Sequence, residues 1–309
     1  MLKYSFVLPA YKATFFKEAL DSILSQTYKE FELIIVNDAS PEDLDSIVNS
    51  YNDTRIRYYK NEKNIGGKDL VAQWNRCLEY AQGDYIILAS DDDVYYPEYL
   101  EKMDVLVNKY PEVNVFRPRV QYIDENGEFK GICGCIAEKV SWLEYWYYWG
   151  DVGSSIGHII FNRTKLIANG GFVNFPMGWG SDDATILMMG KINGICFESQ
   201  ILYSFRNSGQ NISSALNSYN SLVKKIEARE KFYIWLKKQI NDSQVYTAQE
   251  RYYRNVSIEN INNIFQSITV HLISQTSFIS ALRAFPKLLN IEYILPLVAL
   301  KRIFMKIYK

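Results

Sequence analysis

Hydrophobic positions in the first hundred residues alternate between the spacing of a strand and the spacing of a helix. Short apolar runs predict buried strands, and segments with apolar residues every three or four positions predict amphipathic helices. The predicted strands are Tyr4 to Leu8, Phe31 to Val36, Ile56 to Tyr59 and Tyr85 to Ala89. This alternation predicts an α/β fold with a doubly wound, mostly parallel sheet flanked by helices.

Helices are predicted between these strands over residues 14–26, from about 41 to 49, and over 68–81. Ser40 and Pro41 predict the start of the second helix, because serine is a favoured N-cap and proline fits the first helical position.

The pattern loosens beyond residue 100. Two further strands are expected, with a Trp- and Tyr-rich stretch at Trp142–Trp149 between them, and residues from about 218 onward have helical spacing. We therefore predict two domains, residues 1–215 with the sheet and residues 216–309 as a C-terminal helical extension.

Composition narrows the function classes. The 309 residues carry 34 basic and 35 acidic side chains, a net charge of −1, which argues against a nucleic-acid partner. The four cysteines lack the paired spacing of a zinc site, and buried free thiols suit a reducing compartment. The N-terminus does not have the pattern of a signal peptide, so a cytoplasmic location is expected.

Three consecutive aspartates, Asp91, Asp92 and Asp93, follow the strand at Tyr85 to Ala89. Like charges crowded at the end of a buried strand repel one another, and a hard divalent cation would relieve that repulsion. The alternative is a solvated turn whose acidic residues cap a helix that begins near Pro97. We call Asp91–Asp93 the Asp run.

Polar residues also follow the first two strands. Pro9 and Tyr11 come after the first, and Asp38 comes after the second. Because ligands of open α/β sheets bind at the carboxyl ends of the strands, these residues and the Asp run are expected at one edge. We call this edge the rim.

The rim residues suit a nucleotide. The ring of Tyr11 could lie against a base, and Asp38 could accept a hydrogen bond from a ring N–H. Asn64, Gly66 and Lys68 open a helix where backbone N–H groups and a positive charge could approach a phosphate. Each residue has an ordinary alternative role, in the core, in an Asx turn or in a loop.

A second acidic pair, Asp182 and Asp183, precedes a predicted helix at Ala184 to Met189. One member could serve as a general base, since a neighbouring carboxylate can raise a pKa toward a useful range. The alternative is helix capping, which a carboxylate at a helix N-terminus also provides.

The motifs resemble those of the family 2 glycosyltransferases, which share the GT-A fold. The resemblance covers about residues 3 to 215. Its pieces are, in chain order, Val7–Tyr11, Ser25–Tyr28, Ile35–Ser40, Asn64 with Gly66, Trp74–Glu79, Ala81–Ile86, the Asp run with Pro97, Gly170–Phe172 and Asp182–Asp183.

The resemblance implies an inverting, metal-dependent hexosyltransferase. Its donor would be a nucleotide sugar, with a UDP-sugar as the family-level expectation, and its acceptor a saccharide or lipid-linked saccharide of bacterial surface polysaccharide synthesis. It implies that Asp38 binds the base, that Asp91 and Asp92 contact the donor, and that Asp91 and Asp93 hold Mg²⁺ or Mn²⁺. Asp183 would be the catalytic base with Asp182 beside it.

Two departures from the family pattern affect these roles. Ser90 stands where an aspartate is common, so which member of the Asp run touches metal stays open. Ser208 stands at about the place where many relatives carry a histidine, so a contact from a histidine to the metal or phosphate is not expected. Arg206 and Lys68 are further candidate phosphate partners.

Residues 281–309 form a basic amphipathic segment. It either contacts the inner face of the cell membrane, as suits a lipid-linked acceptor, or packs on the catalytic domain or a homodimer partner. The rival function is a catalytically inactive nucleotide-sugar-binding or scaffold protein. A dinucleotide-binding oxidoreductase is disfavoured because no G-x-G-x-x-G follows the first strand.

Overall fold

A computed structural model of the chain describes residues 2–153, 155–209 and 219–275, together with 279, 282 and 283. Its strands are β1 Tyr4–Ala10, β2 Phe31–Asn37, β3 Ile56–Lys60, β4 Tyr85–Leu88, β5 Val94–Tyr95, β6 Val115–Asp124, β7 Phe129–Ile132, β8 Lys139–Val140, β9 Ile160–Asn162 and β10 Ile195–Asn207. Its helices are α1 Phe16–Leu24, α2 Leu44–Asn49, α3 Leu70–Leu78, α4 Tyr99–Lys109, α5 Trp142–Tyr147, α6 Trp149–Val152, α7 Arg163–Ala168, α8 Ser181–Gly190, α9 Tyr219–Asn241 and α10 Ala248–Gln275.

All strands of the described residues join one sheet, with the order β3-β2-β1-β4-β9-β6-β10-β5 and with β7 and β8 beside β6 and β10. The first four strands are parallel, as the alternating pattern predicted. The register pairs Ala10 with Asn37, so the carboxyl ends of β1 and β2 lie side by side. The predicted fold class is confirmed, and the residues that follow these strands lie at one edge.

The remaining strands pair in both directions. β9 is antiparallel to β4 and β6, β6 and β10 are parallel, and β5 is antiparallel to β10. The connection between β4 and β5 contains only the Asp run and its immediate neighbours. A connection this short cannot form the helical crossover that joins two parallel neighbouring strands. The chain therefore carries the Asp run from the middle of the sheet to its far edge.

A column of packed aromatic rings supports the segment that connects β4 to β5. The ring of Tyr95 in β5 lies 5.0 Å from the ring of Phe6 in β1, 5.0 Å from Tyr99 in α4 and 5.1 Å from Tyr203 in β10. All four side chains are buried. Edge-to-face packing of this kind fixes ring orientation as well as burying area, so the Asp run lies on a rigid base.

Two predicted helix starts are wrong. Asp43, not Ser40, caps α2 by accepting a hydrogen bond from the Ser46 amide at 3.0 Å. Ser40 instead donates its hydroxyl to the Tyr11 carbonyl at 2.6 Å, which ties the loop after β2 to the loop after β1. Asp69 caps α3, so Lys68 lies in the preceding turn and outside the helix.

The described residues divide into two compact units, one of residues 1–174 and 182–208 and one of residues 175–181 and the chain from 209 onward. The predicted domain boundary near 215 falls among residues 210–218, outside the described residues, and stays a prediction. The first unit contains the whole sheet.

The second unit is built on α9 and α10. Their contact includes the rings of Tyr233 and Phe265, with centroids 5.0 Å apart. Buried Lys225 lies with its Nζ 4.2 Å from the Trp179 ring, and burial lowers the pKa of Lys225 to about 8. Among the helices that the structure describes, none has both the length and the apolar character needed to cross a bilayer. Apart from Leu282 and Arg283, the basic segment 281–309 lies outside the described residues, so its predicted contacts are untested.

Candidate active site

The loop after β1 is fastened to the Asp run. The Asp91 carboxylate accepts hydrogen bonds from the amides of Tyr11 at 3.0 Å and Lys12 at 2.9 Å. The Tyr11 side chain is 41% exposed, so its ring is not part of the core. Pro9 precedes this loop and pairs in register with Val36 of β2. The structure therefore brings Pro9, Tyr11 and Asp91 together, as the parallel sheet predicted.

Asp38 lies at the neighbouring strand end, where its amide donates to the Ala10 carbonyl at 3.0 Å. Its buried carboxylate gathers the loop that precedes α3. One oxygen accepts from Asn61 Nδ2 at 2.7 Å and the Ile65 amide at 2.9 Å. The other accepts from the Gly66 amide at 2.7 Å and Asn64 Nδ2 at 3.2 Å. In this structure the Asp38 carboxylate holds the loop in place through these four hydrogen bonds. Its predicted hydrogen bond to a nucleotide base stays a prediction.

Four consecutive amides of this loop are used within the protein. Those of Ile65 and Gly66 donate to Asp38, that of Gly67 donates to Asn64 Oδ1 at 2.6 Å, and that of Lys68 donates to the Ile65 carbonyl at 2.9 Å. Because these amides already have partners, the geometry does not favour the expectation that they bind a phosphate. A Cβ at position 66 would lie 3.0 Å from Asp38 Oδ2, so glycine is needed there for close approach to Asp38. Lys68 is exposed beside this turn.

Members of the Asp run differ in burial. Asp93 is 1% exposed, and its carboxylate accepts from the Tyr203 hydroxyl and from the Arg206 amide at 2.8 Å. Asp91 and Asp92 are half-buried. Since a ligand must reach its carboxylate, the geometry favours Asp91 and Asp92 over Asp93 as groups that contact a donor or a cation.

Crowding makes negative charge costly in the Asp run. Burial, followed by the charges of Asp93 and Asp91, raises the pKa of Asp92 to about 8. Burial raises the pKa of Asp93 to about 6, against the opposing effect of its hydrogen bonds from Tyr203 and Arg206. Burial also raises the pKa of Asp91. A bound cation would reverse these shifts, because it stabilises the ionised form.

Arg206 lies behind the Asp run. Its side chain is 1% exposed, and its Nε donates to the Asp92 carbonyl at 2.9 Å. Its guanidinium lies 4.4 Å from the Phe15 ring and 2.7 Å from the Glu18 carboxylate. These contacts place Arg206 as a buried support of the strand crossing and not as the phosphate partner considered from the sequence.

Asp182 and Asp183 form a second acidic site in the first turn of α8. Asp183 is 2% exposed, and its Oδ1 accepts a hydrogen bond from Trp149 Nε1 at 2.7 Å. The Asp183 amide donates to Asp182 Oδ1 at 2.9 Å, so Asp182 caps the turn. These contacts distinguish the two members of the pair, and the base role stays a prediction.

A model of a known family matches the rim and the Asp run. Residues 5–146 match the family described as Glycosyl transferase family 2. Residues 5–146 are a family 2 glycosyltransferase domain. This confirms the family that the sequence motifs resembled, whereas Asp182 and Asp183 lie beyond the matched residues.

Curated relatives match about two fifths of the chain. An uncharacterized glycosyltransferase of Rickettsia bellii is 36% identical over 129 residues, which is 40% of this chain and 18% of that protein. The putative glycosyltransferase EpsE of Bacillus subtilis is 37% identical over 113 residues, which is 36% of this chain and 40% of EpsE. The match therefore spans less than half the length of either relative.

Two solved structures share the fold over most of the chain. S. aureus TarS 1–349, in complex with UDP-GlcNAc, has a TM-score of 0.56 and 19% identity over 92% of this chain and 86% of that one. The mannosyltransferase PcManGT from Pyrobaculum calidifontis, in complex with GDP-Man and Mn²⁺, has a TM-score of 0.56 and 15% identity over 91% of this chain and 75% of that one. At these identities the likeness concerns the fold alone.

The Asp run could supply only part of the shell of a metal ion. Among the described residues, no group of three or more His, Cys, Asp or Glu side chains converges as a ready-made metal site. Mg²⁺ and similar hard cations commonly take one or two carboxylates and complete their shell with substrate phosphates and water. Asp91 and Asp92, each half-buried as a residue, fit that incomplete set better than the buried Asp93.

Sequence reasoning missed three residues that shape the site. Tyr203 and Trp149 donate hydrogen bonds to Asp93 and Asp183, and Asn61 donates to Asp38. Neither aromatic lies near its partner in sequence, and Asn61 has no motif of its own. Only the pairing of the thirteen-residue β10 with β6, and the short helices from Trp142 onward, show where the two aromatic side chains lie.

Proposed function

We propose that the chain is an inverting glycosyltransferase that moves a sugar from a nucleoside-diphosphate donor to a hydroxyl of a glycan or lipid-linked acceptor. One observation carries this proposal. Asp91, which follows β4, accepts hydrogen bonds from the amides of Tyr11 and Lys12, which follow β1, so the ends of these two strands are joined. It gives the family 2 domain one continuous polar edge, at the place where α/β sheets bind nucleotides.

The donor would lie along the rim. Tyr11 offers an exposed ring for the base, and the loop that Asp38 holds, with Asn64, Gly66 and Lys68, borders the same edge. Pro9 shapes the entry to this loop, and Lys68 offers an exposed charge for a phosphate. UDP-sugars are the first donors to test, because TarS binds UDP-GlcNAc, and GDP-mannose is the second, because PcManGT binds GDP-Man.

Asp91 and Asp92 would hold Mg²⁺ or Mn²⁺, and the predicted ligand Asp93 would keep their backbone in place through Tyr203 and Arg206. A bound cation would offset the charge that develops on the departing diphosphate. The protein supplies the alignment, since the aromatic column below the Asp run limits its movement.

Asp183 would act as the general base. Its carboxylate is buried and oriented by Trp149, and it would accept the proton of the acceptor hydroxyl as that oxygen attacks the anomeric carbon. The bond to the diphosphate would break on the opposite face, so the sugar's anomeric configuration would invert. Asp182 would hold the first turn of α8 in which the base lies.

Turnover tests the proposal. We would incubate the protein with UDP- and GDP-sugars and Mn²⁺, measure release of the nucleoside diphosphate, and determine the anomeric configuration of the product by proton NMR. Release with inversion supports the proposal, and retention of configuration contradicts the mechanism. Binding of a donor without any release would instead favour the inactive binding or scaffold protein.

A further inference from the structure

The aromatic stretch Trp142–Trp149, which the proposed function has not used, supplies a hydrogen bond to the candidate base. It forms α5 and the start of α6, and its side chains Tyr145 and Trp146 are buried. From this stretch Trp149 extends its indole to Asp183, with Nε1 2.7 Å from Oδ1. A tryptophan and an aspartate 34 residues apart in sequence are thus joined by a short hydrogen bond.

We propose that Trp149 is a positioning residue for the reaction: its indole N–H fixes the orientation of the Asp183 carboxylate. This inference rests on the proposed base role of Asp183. The indole is suited to the task because its N–H donates and cannot accept, so it orients the carboxylate without competing for the acceptor's proton.

The helix that carries Trp149 is fastened by a buried cation. α6 has only four residues, too few to be stable through its own hydrogen bonds. Arg117 of β6 is 0% exposed, and it donates to the Val152 carbonyl at 2.9 Å and the Gly153 carbonyl at 2.7 Å. These are carbonyls at the C-terminal end of α6, where a cation is favourable. A central strand of the sheet therefore determines where Trp149 lies.

The same cation also fixes α5. Arg117 donates to the Tyr145 hydroxyl at 2.6 Å, and its guanidinium lies 4.8 Å from the Phe197 ring. The Trp149 ring lies 5.5 Å from that of Trp146 on the preceding turn. With one face packed and its helix fastened, the indole has little freedom to turn away from Asp183. That rigidity is what a group that orients a base requires.

The contact can be tested without any substrate. The chain has six tryptophans, so a ¹⁵N–¹H spectrum of the full protein should show six indole N–H signals, and Trp149→Phe identifies the one from Trp149. We expect Asp183→Asn to move that signal upfield, because a hydrogen bond to a neutral amide is weaker than one to a carboxylate. An unchanged Trp149 signal would overturn the proposal.

Turnover then separates positioning from packing. With UDP-GlcNAc or GDP-mannose, Mn²⁺ and water as the acceptor, we expect Trp149→Phe to lower kcat about tenfold and leave the donor's KM unchanged. Trp149→His, which keeps an N–H donor, should recover part of the loss. Trp142→Phe is the matched control, since Trp142 is a buried tryptophan of α5 that stacks under Lys191. Equal losses in Trp142→Phe and Trp149→Phe would overturn the positioning role.

The failure of this inference differs from the failure of the proposed function. If Asp183→Asn keeps full turnover, the base role is wrong, whatever Trp149 does. If Asp183→Asn loses turnover and Trp149→Phe does not, the base role stands and the positioning role is wrong. Should Trp149→Phe fail to fold, Trp149→His identifies the Trp149 signal instead, and the shift of that signal in Asp183→Asn still decides whether the contact exists.

Discussion

The two acidic sites of this chain are built in opposite ways. In the Asp run three carboxylates crowd together, and their burial and mutual repulsion raise the pKa of Asp92 to about 8 and that of Asp93 to about 6. At α8 one carboxylate, Asp183, is buried apart from the run and oriented by a neutral indole. The first site gains most from an added positive charge, and the second is arranged to hold one carboxylate in one orientation.

The contrast assigns separate tasks to the two sites. A crowded acidic site suits the binding of a cation and the diphosphate that accompanies it. An oriented single carboxylate suits proton transfer in the transition state. If the assignment is correct, changes at the Asp run should affect donor binding, and changes at Asp183 should affect turnover with binding intact.

The largest effect should come from Asp183→Asn. An amide cannot accept the acceptor's proton, so we expect kcat to fall on the order of 10²- to 10³-fold. Affinity for the nucleoside diphosphate with Mn²⁺ should stay within about twofold, because the donor site is untouched. Steady-state kinetics and titration calorimetry on one preparation measure both. A large loss of nucleotide affinity in Asp183→Asn would contradict the assignment of donor binding to the Asp run and of proton transfer to Asp183.

Asp92→Asn should have the converse effect. Loss of a half-buried carboxylate from the proposed metal site should weaken nucleoside-diphosphate binding in Mn²⁺ about 10- to 100-fold. Glu30→Gln is the matched control, because Glu30 is exposed and precedes β2, at the edge of the sheet opposite the rim. Comparable weakening in both variants would mean that general charge, and not the Asp run, attracts the nucleotide.

Stability should depend on pH through the Asp run. A carboxyl whose pKa is higher in the folded state than in the unfolded state stabilises the fold at low pH, and that contribution disappears as pH rises through the folded-state pKa. For Asp93 and Asp92 the loss should extend from about pH 4 through 6 to 8. Metal-free protein should therefore lose stability from pH 5 to 8.5.

Removing one of the crowded charges should reverse that loss. At pH 8.5 Asp92→Asn should be more stable to urea than the unaltered protein by about 1–2 kcal/mol, and Mn²⁺ should narrow the gap. At pH 5 the two proteins should differ less, because protonation has already relieved the repulsion. Equal urea midpoints at both pH values would show that the Asp run is not under electrostatic strain.

The smallest effect should come from Gly66→Ala. Its Cβ would lie 3.0 Å from Asp38 Oδ2 and should loosen the loop, which we expect to weaken nucleotide binding by about threefold to tenfold. Gly150→Ala is the control, because a Cβ there meets nothing within 4 Å. Calorimetry on both variants would sharpen the comparison by showing whether the Asp38 loop belongs to the donor site. Identical nucleotide affinities in the two variants would show that the Asp38 loop is not part of the donor site.

Local sequence patterns predicted the rim because parallel strands place their carboxyl ends at one edge. Tyr11, Asp38 and Asp91 each follow a short apolar run, and the register of β1 and β2 places them as expected. Helix caps were less predictable. Ser40 and Asp43 are both favoured N-caps, and the structure selects Asp43 because the Asn37 side chain accepts the Ser40 amide at 2.8 Å and holds it in a turn.

Hydrogen-bond partners distant in sequence could not be predicted. Nothing in the residues around Asp93 indicates Tyr203, 110 positions later, and nothing around Asp183 indicates Trp149. The same limit applies to the loop at Asn64–Gly67, whose glycines suggested a phosphate cradle. Its amides instead serve Asp38 and the loop itself, which becomes evident only when β2 and the loop are placed side by side.

The most direct test of the central claim is calorimetric titration with UDP, GDP, CDP and TDP, each with Mn²⁺ and with a chelator. The unaltered protein and the double variant Asp91→Asn/Asp92→Asn would be compared. We predict that one nucleotide binds the unaltered protein only in Mn²⁺ and that the double variant fails to bind it. Equal affinity in the chelator, or intact binding by the double variant, would contradict the assignment of the Asp run to the metal and the diphosphate.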